Sequence, residues 1–294
     1  MSLEFMVPFY GDPALLKETV ASVQAQTDGD WRLTVVDDGY PDDSIPGWFA
    51  ALGDDRIRYT RNETNLGANK NYEKCLALAT ADDVTVLGAD DLLRPNYVAV
   101  VREARRRFPD AAVIQPGVEV VDEHGQPARS LVDRVKRVYA PTPTGTVALS
   151  GEDLATSLLK GNWLYFPALC FSLAKVRDVG FRDGLNVVQD LALVLDLLMR
   201  GERLVVDPTV CFAYRRHGGS DSSWRALEGT RFLEERDYFQ QVARELTALG
   251  WSRAARAARM HVSSRLHALT YLPAAVRNRH RTGMRNLATH AFGR

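Results

Sequence analysis

The sequence predicts an α/β fold, with a mostly parallel sheet flanked by helices and a helical C-terminal extension. In the first half of the 294 residues, short apolar segments alternate with segments of helical periodicity. Polar residues follow several of these apolar segments, and beyond Trp224 only helical patterns remain. We therefore divide the chain into a sheet domain, residues 1–223, and a helical extension, residues 224–294.

Strand and helix patterns alternate in a regular order up to residue 117. The predicted strands are LEFMV, RLTVV, IRYT, DVTVLG and AAVIQ, and the predicted helices begin at Pro13, near Ser44, at NKNYEKCLALA and near Pro95. Proline is favoured in the first turn of a helix, which supports the start at Pro13.

The second half of the sheet domain is less regular. From Val118 to Ser150 turn-forming residues dominate, so we predict a hairpin and a long loop. A helix (GEDLATSLLKG), a strand (ALCFSLAKV), an amphipathic helix (QDLALVLDLLMRG) and a closing strand and loop (RLVVDPTVCFAYRRHGGSDSS) follow. In the extension, Gly250 and Pro273 are predicted to interrupt the helices.

Charge is distributed unevenly along the chain. The segment from Trp251 to Arg294 has nine arginines and no acidic residue, whereas the preceding 250 residues have 28 basic and 37 acidic residues. Arg253, Arg256 and Arg259 share one helix face. This basic segment is either an amphipathic helix attracted to anionic lipid, or an extension that packs on the domain or on a second subunit. The acidic body and the lack of a recognition motif argue against nucleic-acid binding.

The cysteine usage favours a reducing compartment. Cys75, Cys170 and Cys211 have no CxxC spacing and are expected to be reduced, part-buried thiols. No signal sequence is visible before the first strand pattern, and no apolar segment approaches the roughly 20 residues of a membrane span. We expect a cytoplasmic protein, with peripheral contact to the inner face of the plasma membrane as an alternative.

Two adjacent carboxylates in the segment VLGADDLLRP raise the question of a metal site. Asp90 and Asp91 follow a strand pattern, and polar clusters at Tyr10, Asp38 and residues 65–71 follow three others. Since ligands of open α/β sheets bind at the carboxyl ends of the strands, these clusters predict one polar ligand across that edge. Paired carboxylates are hard oxygen ligands suited to Mg²⁺ or Mn²⁺. The alternative is that the pair only caps the next helix.

A nucleotide is the obvious ligand, although the usual phosphate-binding sequences are missing. The chain contains neither GxGxxG after the first strand nor GxxxxGK[ST]. Phosphates would therefore have to be held by side chains and a cation.

Six segments in order carry a resemblance to a known family. They are VPFYGDPALLKETVASVQAQT, VVDDG, NLGANKNYEKCLALA, VLGADDLLRPNYV, VVQDLALVLDLLMRG and YRRHGGSDSS. Together, over residues 3 to 223, they resemble the family 2 glycosyltransferases, which have the GT-A (Rossmann-like) fold. The resemblance implies transfer of a sugar from a nucleotide-diphosphate donor, most often a UDP-sugar, to a hydroxyl acceptor, with inversion at the anomeric carbon and with Mn²⁺ or Mg²⁺.

The resemblance also implies roles for matching residues. Asp190 corresponds to the catalytic base, Asp90 and Asp91 to the metal motif, and His217 to a further ligand of the metal or the diphosphate. The implied donor-binding residues are Pro8, Tyr10 (stacked on the base), Asp38 (base or ribose), Asn65, Asn71 and Asp90.

The chemistry of sugar transfer agrees with these roles. Departure of a nucleotide diphosphate leaves negative charge that a divalent cation stabilises, and the acceptor hydroxyl needs one carboxylate as general base. A glycoside hydrolase would usually need two carboxyl groups and no metal.

This chain departs from the family pattern at two positions. The more familiar metal motif is Asp-x-Asp, and its first position here is Gly88. It stays open which carboxylate of the pair contacts the metal. Gln189 replaces the acidic residue that often precedes the base, which bears on acceptor contacts.

Several site residues have structural alternatives. Asp190 could be a helix N-cap, Asp38 could close the turn before Gly39, and Tyr10 could lie in the core. Trp163 and Tyr165 are candidate acceptor-binding aromatics, or hydrophobic anchors under a loop.

Two other functions compete with sugar transfer. A metal-dependent nucleotidyltransferase also uses a Rossmann-like sheet and carboxylates, but FYGDPALL lacks the glycine- and arginine- or lysine-rich loop that such an enzyme needs. A nucleotide-sugar-binding module that has lost catalysis is the other alternative. The acceptor is expected to be a hydroxyl-bearing glycan, glycolipid or other glycoconjugate of cell-surface synthesis.

Overall fold

A mixed sheet forms the centre of the molecule. The structure is a computed structural model that describes residues 2–128, 130–216 and 229–293. In these residues the strands are β1 Leu3–Phe9, β2 Trp31–Asp37, β3 Ile57–Arg61, β4 Asp83–Val86, β5 Leu92–Leu93, β6 Val113–Val121, β7 Val147–Ser150, β8 Cys170–Ser172 and β9 Arg203–Arg215. Their order is β3-β2-β1-β4-β8-β6-β9-β5, and β7 pairs with β9.

The helices of the sheet domain cover both faces of this sheet. They are α1 Pro13–Gln24, α2 Ser44–Ala51, α3 Ala68–Leu78, α4 Tyr97–Arg107, α5 Leu131–Tyr139, α6 Gly151–Lys160, α7 Leu173–Val179 and α8 Gln189–Met199. The extension contains α9 Thr230–Ala248, α10 Ser252–Met260, α11 Val262–Arg277 and α12 Arg281–Phe292. The α/β fold class predicted from the sequence is confirmed.

Successive side chains of a strand point to opposite faces of the sheet, so the molecule has one core on each face. In β1, Phe5 and Val7 belong to the core under α1, α2 and α4, whereas Met6 belongs to the core on the opposite face. This follows from the strand period of two. Because both faces are buried, a ligand site is expected at the strand ends of the sheet.

Strand direction places many carboxyl ends at the same edge. β1, β2, β3 and β4 are parallel. The short β8 is antiparallel to both β4 and β6, and β9 is parallel to β6. Therefore β6 and β9 run in the same direction as β1 and end at the same edge.

Three expectations about secondary structure are wrong. Residues 118–150 contain α5 rather than only a hairpin and loop, and Ser130 caps this helix by accepting a hydrogen bond from Asp133 N at 3.1 Å. The predicted strand ALCFSLAKV is a three-residue strand followed by α7, because Leu173 and Val176 are buried at helical spacing.

The third wrong expectation concerns Pro273, which lies inside α11. Pro273 is exposed, on the outward side of the helix. The extension is instead interrupted after Gly250, as predicted, and at His261 and Arg279, which have φ of 28° and 52°.

The first helix of the extension packs as part of the sheet domain. Tyr238, Val242 and Leu246 of α9 lie in the same core as the buried leucines of α8. A smaller core around Phe232 joins α9 to α11 and α12. The division at residue 223 stays a prediction. Helix α9 shares a core with the sheet domain and is therefore packed as part of it.

Other sequence expectations concern the thiols and the membrane. All three cysteines are free and buried. None of the described helices is both long enough and apolar enough to cross a bilayer.

We expect Leu246→Ala to lower the free energy of unfolding of the whole protein by about 3 kcal/mol, since it leaves a cavity in the shared core. Leu246 is fully buried, whereas Leu249 at the end of the same helix is 45% exposed. Leu249→Ala is therefore the matched control and should change stability by less than about 0.5 kcal/mol. Urea unfolding followed by circular dichroism measures both. A separate early transition that alone responds to Leu246→Ala would show that α9 is an independent unit.

Candidate functional site

The first of the predicted donor-binding residues lie in β1 and directly after it. Tyr10 is 58% exposed and its ring meets that of Tyr40 at 5.4 Å and 81°. This excludes the core alternative for Tyr10, since more than half of the residue is exposed. Pro8 is half-buried in β1 opposite Val36. Asp12 caps α1 by accepting from Ala14 N at 2.7 Å.

Asp38, at the end of β2, organises the neighbouring loop. It is buried, and its Oδ1 accepts hydrogen bonds from Asn62 Nδ2 at 2.7 Å and Leu66 N at 2.8 Å. Its Oδ2 accepts from Gly67 N at 2.9 Å. Asp38 thus fixes the loop that leads into α3. Its predicted bond to a base or ribose stays a prediction.

The two predicted asparagines occupy different environments. Asn65 is exposed and accepts from Gly67 N at 3.0 Å. Asn71 is buried, and its Nδ2 donates to Val36 O at 2.9 Å while its Oδ1 accepts from Asn62 at 3.1 Å. Both of its polar atoms make hydrogen bonds within the protein, so Asn71 links β2 to α3. Its predicted contact with the donor stays a prediction.

Asp90 and Asp91 do not cap a helix. The next helix, α4, begins at Tyr97 with Asn96 as its N-cap, and the strand β5 comes between. Asp91 is 1% exposed, and its Oδ1 accepts a hydrogen bond from Arg215 N at 2.8 Å. The capping alternative is therefore wrong.

Both carboxylates converge on Gly88. A Cβ on Gly88 would lie 2.5 Å from Asp91 Oδ2 and 3.1 Å from Asp90 Oδ1. Two like-charged groups thus share a small volume that only a glycine leaves open. Burial first, and then the charge of Asp90, raise the pKa of Asp91 well above its usual value.

These residues fit a divalent cation of the Mg²⁺ or Mn²⁺ type. They offer two carboxylate oxygens next to each other at a sheet edge, and such ions take oxygen ligands and commonly share their coordination with substrate phosphates and water. Within residues 2–128, 130–216 and 229–293 there is no group of three or more His, Cys, Asp or Glu side chains suited to a metal. His217, the predicted additional ligand, lies outside the described residues.

Asp190 is the second residue of α8 and is partly exposed. The N-cap of this helix is Val188, so the N-cap alternative for Asp190 is wrong. Its Oδ1 accepts from Leu191 N at 2.7 Å and its Oδ2 from Asn162 Nδ2 at 3.4 Å. Burial raises the pKa of Asp190, against the opposing effects of these hydrogen bonds and of two nearby cations, Lys136 and Arg231.

A set of side chains that we call the bridging cluster connects Asp190 to the paired carboxylates. It consists of Asp133, Lys136, Tyr165, Tyr214 and Arg216. Arg216 donates two hydrogen bonds to Asp133, at 2.8 and 2.6 Å, and Tyr165 donates a third at 3.0 Å. Lys136 lies over the Tyr165 ring at 4.1 Å, and the Tyr165 and Tyr214 rings are 5.2 Å apart.

The bridging cluster lies between the two ends of the site. Lys136 donates to Leu164 O, and Asn162, which accepts from Leu164 N, donates to Asp190. Burial lowers the pKa of Lys136 to about 8, while the charge of Asp190 opposes this shift. Burial, and then the charge of Asp91, raise the pKa of Tyr214. Arg216 directly follows Arg215, whose backbone holds Asp91. The cluster was missed in the sequence because α5, which provides Asp133 and Lys136, was predicted as a loop.

The residues predicted to bind the acceptor differ in their exposure. Trp163 is buried in the core and its Nε1 donates to Ser157 at 3.1 Å, so the anchor alternative describes it and its ring is not open to a sugar. Tyr165 and Gln189 are partly exposed, the first within the bridging cluster and the second at the start of α8.

One carboxylate from the extension holds the start of α8. Glu234 of α9 accepts hydrogen bonds through Oε1 from three consecutive backbone amides, Asn186, Val187 and Val188, at 2.8, 2.6 and 3.2 Å. Backbone amides at a helix N-terminus favour a negative group. The contact fixes the turn that carries Asp190, and because its three hydrogen bonds span 46 to 48 residues no local sequence signal reveals it.

Comparisons with known proteins agree with this geometry. The chain is 27% identical over 239 residues to an uncharacterised protein of Sinorhizobium fredii, covering 80% of this chain and 23% of the relative. It is 26% identical to the succinoglycan biosynthesis protein ExoO of Rhizobium meliloti, covering 74% of this chain and 62% of ExoO. The chain thus spans less than two thirds of either relative.

Solved structures share the fold across the described sheet and extension. The crystal structure of Staphylococcus aureus TarS residues 1–349 with UDP-GlcNAc matches with a TM-score of 0.62 and 14% identity, covering 99% of this chain and 90% of that one. The GT-A architecture expected from the sequence is therefore confirmed. The sequence model of "Glycosyl transferase family 2" matches residues 5–151, half of the chain. The chain belongs to the family 2 glycosyltransferases.

Proposed function

We propose that the protein transfers a sugar from a nucleotide-diphosphate donor, with UDP as the favoured nucleotide, to a hydroxyl acceptor with inversion at the anomeric carbon. The observation that carries this proposal is the partly exposed Asp190 in the same hydrogen-bonded region as the paired carboxylates. Asn162, which holds Asp190, contacts Leu164, and Lys136 of the bridging cluster donates to Leu164 O. At the other end of the cluster, Arg216 follows Arg215, whose amide holds Asp91. That TarS was crystallised with UDP-GlcNAc supports the choice of nucleotide.

In this mechanism different residues of the sheet edge bind the donor, accept the proton and hold the metal ion. Tyr10 offers its exposed ring to the base, and the loop shaped by Asp38 borders the ribose. Asp190 accepts the proton of the acceptor hydroxyl as its oxygen attacks the anomeric carbon, and the nucleotide diphosphate leaves from the opposite face. A Mn²⁺ or Mg²⁺ ion bound by Asp90 and Asp91 would supply an electrophile for the charge on the leaving diphosphate.

The acceptor proposed is a growing cell-surface polysaccharide, a glycolipid or another glycoconjugate, handled on the cytoplasmic side. ExoO, named for succinoglycan biosynthesis, supports a polysaccharide. Arg216 and Lys136 of the bridging cluster keep the acceptor side rich in hydrogen-bond donors, since sugar hydroxyls accept as well as donate.

We expect Asp190→Asn to lower kcat for transfer by roughly 10³-fold, because an amide cannot accept the hydroxyl proton, while affinity for the donor stays unchanged. Transfer by the unmodified protein should fall as the pH drops through the pKa of Asp190, which burial raises above its usual value, because only the deprotonated carboxylate accepts the proton. Rates from pH 4 to 9 and titration calorimetry of the nucleotide measure the two properties. Asp196→Asn is the control on the same helix, since Asp196 is paired with Arg182. Normal transfer by Asp190→Asn would reject the assignment of the base.

We expect Gly88→Ala to reduce the effect of Mn²⁺ on UDP affinity by about tenfold or more, because its Cβ would displace the Asp91 carboxylate. Gly47→Ala is the matched control, since a Cβ there meets no atom within 4 Å. Thermal shift with UDP, in the presence and absence of Mn²⁺, measures the loss, because a ligand specific for the native state stabilises it by mass action. An equal Mn²⁺ effect in both variants would contradict the metal site.

We expect Glu234→Ala to lower kcat about tenfold at unchanged donor affinity, since it loosens the turn that carries Asp190. Loss of a helix cap also costs about 1 kcal/mol of stability. Glu234→Gln keeps an acceptor oxygen and should restore most of kcat. Asp237→Ala, an exposed position on α9, is the control. If the alanine variant at 234 transferred sugar at the normal rate, Glu234 would have no positioning role.

A further inference from the structure

Helix α11 has apolar residues on the side that faces away from the protein. Val262, Leu266, Leu269, Pro273 and Val276 are spaced by four and three residues in turn and therefore share one face, which we call the outward stripe. Leu266 is 58% and Val276 56% exposed. The opposite face provides Ala268 and Ala275 to the small core with α9 and α12.

Exposed apolar side chains concentrate in this part of the chain. Six of the twelve large ones found in the described residues lie between positions 249 and 292. Met260, at the end of α10, adjoins the outward stripe in sequence and is also exposed. A contiguous exposed apolar surface usually marks a partner.

Arginines flank the outward stripe on both sides. On a helical projection, Arg265 lies at one edge and Arg277 at the other, and Arg279 and Arg281 follow directly. Among the described residues, neither Arg277 nor the two arginines after it forms an ion pair, in contrast to Arg253, which pairs with Glu152 and Asp153. From residue 251 onward the chain has no acidic side chain.

This pattern distinguishes between two possible occupants. A second copy of the chain would bring the arginine edges of one α11 against those of the other, with no acidic residue between them to offset the repulsion. An anionic bilayer satisfies both features, because acyl chains accept the apolar side chains and phosphate groups pair with the arginines. We propose that the outward stripe and its flanking arginines bind the surface of an anionic membrane.

Membrane binding by α11 would place the bilayer close to the elements that position Asp190. The inner side of α11 packs on the start of α9, where the rings of His267 and Tyr271 lie 5.5 and 6.1 Å from that of Phe232. Two residues further, Glu234 holds the turn that carries Asp190. The bilayer would thus lie about one helix diameter from the elements that hold the catalytic edge. In this last respect the inference rests on the proposed function and favours a lipid-anchored acceptor.

Vesicle sedimentation tests the membrane surface without donor, acceptor or metal, so its outcome is independent of catalysis. We expect the protein to bind phosphatidylcholine vesicles that contain about 30% phosphatidylglycerol far more tightly than phosphatidylcholine alone, and to release them as salt rises. Arg277→Gln with Arg281→Gln should weaken binding about 25-fold, at about fivefold for each arginine. Arg32→Gln with Arg58→Gln, exposed arginines on β2 and β3, is the charge-matched control.

The apolar part has its own matched pair of variants. Leu266→Gln with Val276→Gln should weaken binding at least about tenfold, whereas Leu78→Gln with Val210→Gln, at positions of comparable exposure, should not. Circular dichroism confirms folding of each variant. Absence of binding to anionic vesicles, or equal binding by both pairs, would overturn the proposal. A lipid-free dimer that dissociates in the Leu266 and Val276 variant would assign the outward stripe to a second copy and overturn it as well.

Discussion

The hydrogen bond from the Arg215 backbone to Asp91 joins the two halves of the site. Asp91 follows β4 and Arg215 ends β9, 124 residues later, and their contact is buried. A buried carboxylate without a donor would be costly, so the end of β9 is held where its amide can reach Asp91. Arg216 then donates two hydrogen bonds to Asp133, which also accepts one from Tyr165. One pairing therefore positions the paired carboxylates and the bridging cluster together.

The sheet that carries this edge owes its stability to burial on both faces. Because helices cover both faces of the sheet, the strands can be apolar along most of their length, and their side chains are buried in one core or the other. Polar side chains lie at the strand ends. The extension contributes to this arrangement. Its first helix fills part of one core and also provides Glu234, so it both stabilises the domain and orients the turn of Asp190.

Local signals in the sequence predicted the features that depend on local physics. The first four strands, the start at Pro13, and the clustering of Tyr10, Asp38 and Asp90 at one edge follow from periodicity and from the geometry of parallel strands. Long-range contacts could not be predicted from the sequence. Nothing near Asn71 in the sequence shows that both of its amide atoms are used within the core, and nothing near Glu234 points to α8. Helix α5 was missed because tertiary contacts of Asp133 hold a segment in which Val135 and Val138 are exposed, so the helix lacks a clear apolar face in the sequence.

The tight fit of two carboxylates around Gly88 also constrains how this chain relates to members of the family with an Asp-x-Asp motif. An aspartate at position 88 would recreate that motif by one substitution, yet its first side-chain carbon would occupy the space of the Asp91 carboxylate. Such a change requires Asp91 Oδ2 to move, although its partner oxygen Oδ1 is held by the Arg215 amide. In this chain the space that a side chain at position 88 would need is therefore already taken by the carboxylates of Asp90 and Asp91, so the adjacent pair and an aspartate at 88 compete for the same volume.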